Sequence, residues 1–137
     1  MNKEDTQPLN TQLTGDQAEA LLKELATWGN TTTIILHGGS VFEFKGAFPK
    51  GEIGHGYYNL TGPVPGFHGH INLNLIHHIN FQDKPHRGQE SYAFNFQDKD
   101  DSNIFKVFLG RTEDGTLIAD QVARFKQIKQ QLSLRKE

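Results

Sequence analysis

The sequence predicts an α+β domain, a largely antiparallel β-sheet flanked by an N-terminal and a C-terminal helix. Three observations carry that expectation. Helical periodicity is confined to the two ends of the chain, six short β-branched and aromatic runs lie between them, and Gly and Pro punctuate those runs with no helical pattern intervening. Strands that follow one another without crossover helices pair through hairpins, which makes the sheet antiparallel.

Residues 1–12 are polar, contain Pro8 and lack periodicity, so they read as a flexible tail, leaving 13–137 as one domain. Thr14-Gly15-Asp16-Gln17 has capping-box spacing, and Ala18, Leu21, Leu22 and Leu25 then recur on one helical face. Gly29-Asn30 supplies the residues that stop a helix. The strands follow as TTTIILH (31–37), SVFEFK (40–45), GYYNL (56–60), HINLNLIHHINF (70–81), SYAFNF (91–96) and NIFKVFL (103–109). His37-Gly38-Gly39-Ser40 reads as a tight hairpin turn, and FPKG (48–51) and TGPVPG (61–66) as turns. Asp114-Gly115 leads into a last helix over roughly 118–135, with Val122, Phe125, Ile128 and Leu132 as its packing stripe.

Composition narrows the function classes. A chain of 137 residues suits one core that buries about two thirds of the surface its unfolded form exposes. Ten Phe against one Met and one Trp point to a core or pocket built from rigid aromatic plates. A net charge of −2 gives no field to draw nucleic acid or an anionic membrane, so neither is expected as a partner. The chain has no Cys, which removes disulfides, thiolate ligands and cysteine nucleophiles. With no signal-like segment at the start and no run of 18 apolar residues, the expected location is cytoplasmic, without membrane insertion.

The densest chemistry is FHGHINLNLIHHINF (67–81), with four histidines. On one continuous strand, alternation puts His77 with Ile71, Leu73, Leu75, Ile79 and Phe81, while His68, His70 and His78 share the other face. Most histidines on a polar strand face are simply solvated. His68 and His70 together would give two imidazoles to a non-heme metal, but such sites recruit a third ligand, and nothing in the spacing of His37, Glu43, Glu52, Asp83 or Glu90 selects one. GEIGHG (51–56) lacks the helix that a phosphate loop opens. Aromatic walls, imidazoles and the basic residues Lys45, Lys50, Lys84 and Arg87 are together the ingredients of a heme pocket.

WGNTTTI (28–34), SVFEFKGAFPKG (40–51), HGYYNL (55–60), FHGHINL (67–73), RGQES (87–91), IFKVFLGR (104–111) and QVARF (121–125) follow one another in the order and approximate spacing of the HutX/ChuX/HuvX family of cytosolic heme utilization carriers. The chain resembles that family from about residue 24 to residue 128. The resemblance implies the HemS/ChuS-like heme utilization fold, a homodimer, and an intracellular carrier for b-type heme; the protein that accepts or degrades the heme stays unnamed. It also implies His70 as the residue associated with heme iron. A second family His falls, without a gap, on Leu36, while this chain has His37 one position later. Either a bulge beside Gly38-Gly39 restores its aim, or His37 is not a ligand. By residue type, Tyr57 or Tyr58 would cover the porphyrin, and Lys50 or Arg87 would pair with a propionate. The alternatives are a heme ring-opening enzyme using the same pocket, and the non-heme metal protein built on His68 and His70.

Overall fold

The computed structural model describes residues 11–134, with side chains through residue 132. Residues 1–10 of the expected tail, and residue 135 at the end of the expected last helix, lie outside the described residues. The strands are β1 (Gln12–Thr14), β2 (Asn30–His37), β3 (Ser40–Ala47), β4 (Lys50–Gly54), β5 (Tyr57–Gly62), β6 (Gly69–Ile71), β7 (His78–Asp83), β8 (Tyr92–Gln97) and β9 (Asn103–Leu109). Helix α1 spans Ala18–Leu25 and α2 spans Ala119–Leu134. All strand pairs are antiparallel, and they form two sheets: β1-β7-β8-β9-β2-β3 with six strands, and β4-β5-β6 with three.

The helices form where the sequence signals them. Gln17 reaches back so that its Oε1 accepts from the Thr14 backbone N–H at 2.9 Å, and α1 buries Ala18, Leu21, Leu22 and Leu25. Helix α2 buries Phe125, Ile128 and Leu132, and the Phe125 ring meets Phe81, Tyr92 and Phe94 with centroids 5.0–5.3 Å apart. Offset and edge-on geometries of this kind add to the burial of each ring. Glu24 of α1 takes both Nε and Nη2 of Arg124 of α2, at 2.7 and 3.0 Å. Gln121, itself buried, donates to Trp28 O and Asn30 O and accepts from Gly110 N, which locks the start of α2 onto the strand ends.

Gly38 and Gly39 form the expected two-residue turn, with φ of 59° and 77°, and the β2–β3 register runs unbroken from Asn30↔Ala47 to His37↔Ser40. Three expectations need correction. Gln12 pairs with Asn80 and is a strand residue. FPKG and TGPVPG are turns only in part, because Lys50 and Gly51 already belong to β4 and Thr61 and Gly62 still belong to β5. The third correction matters for function: HINLNLIHHINF is not one strand. Asn72 accepts from the Asn74 N–H through its side chain at 3.1 Å and opens a 3₁₀ turn over Leu73–Leu75. The chain leaves the small sheet at Ile71 and re-enters the large one at His78, with the alternation reset. His78 is buried and His77 exposed, the reverse of the continuous-strand reading.

Candidate functional site

The seam between the two sheets holds a cavity of about 770 Å³. Ile35 of β2 and Ile104 and Phe105 of β9 line it from the large sheet, and His70 and Ile71 of β6 from the small one. The Asn72–His77 connection and the β8–β9 turn, with Asp98, Lys99 and Asp100, complete the wall. Six of the thirteen lining residues are apolar, and one of these, Leu75, is 61% exposed. A concave surface that combines apolar side chains with a few convergent polar groups is the usual form of a small-molecule site.

His70 has the geometry of a ligand. Its Nδ1 lies 2.6 Å from Asn59 Oδ1, across the β5–β6 pair Asn59↔His70. The amide orientation follows from Asn59's other contacts: Nδ2 donates to Gly54 O at 3.0 Å, with Glu52 O and Tyr57 O at 3.4 Å. With carbonyls on the nitrogen side, the amide oxygen must face His70, so Nδ1 carries the proton and Nε2 keeps its lone pair. A hydrogen bond on one ring nitrogen that frees the other is how proteins orient a metal-binding imidazole. Tyr57 packs edge-on to His70, with centroids 6.1 Å apart.

The other expected site residues scatter. Tyr57 shares the Asn59 face and neighbours His70 without lining the cavity. Tyr58 points to the opposite face of β5, outside the cavity lining, and is 0% exposed in the core; burial raises its phenol above the ordinary value. His37 ends β2, exposed, and no bulge adjoins it. Since Ile35 lines the cavity, His37 has the cavity-side parity and Leu36 faces away, yet His37 lies beyond the lining. Lys50 starts β4 and Arg87 sits in the β7–β8 connection at φ 54°, and neither reaches the cavity. Lys99 is the basic residue in the lining, hidden in the sequence among Asp98, Asp100 and Asp101. The turn that carries it is held firmly: Asp98 Oδ1 accepts from Asp100 N and Ser102 N, and Gln97 Nε2 donates to Asp101 O. His68 does not line the cavity, and among the described residues no group of three or more His, Cys, Asp or Glu comes together to hold a metal ion.

A porphyrin needs apolar walls, an imidazole with a free nitrogen and a cation for its carboxylates. The cavity supplies each: Ile35, Ile71, Ile104 and Phe105 as walls, His70 Nε2, and Lys99, which makes no ion pair among the described residues. Among the described residues no helix is long and apolar enough to cross a membrane.

The chain is 46% identical over 117 residues to the intracellular heme transport protein HutX of Vibrio cholerae, a match covering 85% of this chain and 61% of that one. It thus spans less than two thirds of that relative's length. A crystal structure of ChuX superposes with a TM-score of 0.83 at 32% identity, covering 91% of this chain and 78% of the other. A structure of the heme binding protein ChuX gives 0.81 at 31%, covering 89% and 76%. The model of the family described as haem utilisation ChuX/HutX matches residues 11–128, and the chain belongs to that family.

Proposed function

We propose that this chain binds heme in the seam between its two sheets and carries it as cargo within the cell. The observation that carries the reading is the Asn59–His70 hydrogen bond, which leaves Nε2 of a cavity-lining imidazole free for iron. Similarity to a heme transport protein and to a heme binding protein supports the same reading.

Each element of the site has a task. Asn59 fixes the tautomer and ring plane of His70. Ile35, Ile71, Ile104 and Phe105 exclude water from the porphyrin faces, and Lys99 meets a propionate at the rim. With no Cys in the sequence, thioether attachment of the c type is closed to it, and non-covalent b-type heme is the proposed form. The exposure of His70 suits a carrier, which must release what it binds. Neutral imidazole is the ligating form, so binding weakens on acidification. A homodimer is part of the proposal. Its support is the β2–β3 hairpin, where β3 is an edge strand and Leu36, Val41 and Phe42 are each about half exposed. The cytoplasm is the proposed location, and residues 13–137 the proposed single domain.

Titrating hemin into the apo-protein tests the reading. A saturable Soret shift in the parent, weakened in His70→Ala, is expected. No saturable shift in the parent, or an identical titration in the variant, would overturn it.

A further inference from the structure

We infer that His77 supplies a second imidazole to the cavity and ligates the heme iron together with His70. The inference rests on the heme reading above and deepens it. Of the seven histidines, His70 and His77 are the two that line the cavity. They approach from different elements, His70 from β6 and His77 from the connection that enters β7.

The main chain of His77 is fixed on both sides. Its N–H donates to Gln97 O at 2.8 Å, and its carbonyl accepts from Gly15 N at 2.9 Å. Gly15 can come that close only because it has no side chain, since a Cβ there would lie 2.0 Å from Ile76 O. The neighbouring ring is fixed as well: buried His78 sits 3.0 Å from Asp101 through Nε2, and the His77 ring stands edge-on to it, with centroids 5.5 Å apart. Yet His77 is exposed and its side chain makes no hydrogen bond among the described residues, so both ring nitrogens are open to a ligand. Its main chain is thus held in place at the cavity wall while its ring stays free to turn toward a ligand. His37 has none of this support. It ends its strand beside a two-glycine turn and lies outside the lining.

The test is the spin state of the ferric heme complex in the parent, His77→Ala, His77→Gln and His37→Ala, read by visible absorption and electron paramagnetic resonance. The parent should be six-coordinate and low-spin. Both His77 variants should still give a Soret shift through His70 but turn high-spin, and added imidazole should restore the low-spin spectrum to His77→Ala. Far-UV circular dichroism of each variant separates ligand loss from unfolding, and the Gln variant serves if the Ala one fails to fold. A high-spin parent, a low-spin His77→Ala complex, or loss of the low-spin form in His37→Ala alone would overturn the role of His77 and leave the heme reading standing. A parent with no Soret shift would overturn both.

Discussion

Two regions of the large sheet use similar apolar side chains to opposite ends. Under α2, Phe81, Tyr92, Phe94 and Phe125 interlock ring against ring, and Phe94 and Phe125 have no exposed surface. At the seam with the small sheet, Ile35, Ile71 and Ile104 are only partly buried and Leu75 is mostly exposed. The first region is filled by the chain itself. The second is left open, and that deficit in packing is what makes it a site. Stability and binding should therefore respond to different residues.

Phe125→Ala offers the largest effect. It should cost about 3–5 kcal/mol in chemical denaturation by emptying the aromatic cluster, while the hemin affinity of the folded fraction stays unchanged. A matching loss of affinity would show that the two regions are one. Asn59→Leu should do the reverse, weakening hemin binding by about 10–100-fold through loss of the group that orients His70, with a stability change of about 1 kcal/mol from its lost hydrogen bonds. Smaller again is Glu24→Gln, expected to cost about 1 kcal/mol because the partly exposed pair with Arg124 is partly screened, and to leave hemin binding alone. Its pH dependence has a definite sign. The Arg124 guanidinium, through its hydrogen bonds, lowers the Glu24 carboxyl below its ordinary value. The pair's contribution is thus present above the unfolded carboxylate value of about 4.3 and lost as pH falls through the lower folded one, so parent and variant should converge in acid. The smallest effect belongs to Lys99→Ala: an affinity loss of less than about 1 kcal/mol that shrinks further with added salt, as for an exposed ion pair.

Much of this fold was legible in the sequence because its signals are local. The capping box at Thr14, the Gly38-Gly39 turn and the Asn103–Leu109 strand are each set by a few adjacent residues. What escaped was set at a distance or by an exception to alternation. Strand β1 is three residues long and exists through its pairing with β7. The break after Ile71 turns on a single Asn side chain capping Leu73–Leu75, and it exchanges the environments of His77 and His78. Resemblance to the family pointed to His70, but Asn59 and Lys99 needed the fold. One lies eleven residues upstream on a paired strand, and the other sits in a turn whose acidic neighbours masked its charge.

The most direct measurement is a hemin titration of His70→Ala beside His68→Ala, two exposed histidines two residues apart of which only His70 lines the cavity and is held by Asn59. His68→Ala should bind like the parent and His70→Ala should lose affinity. Loss in His68→Ala with His70→Ala unchanged would contradict it.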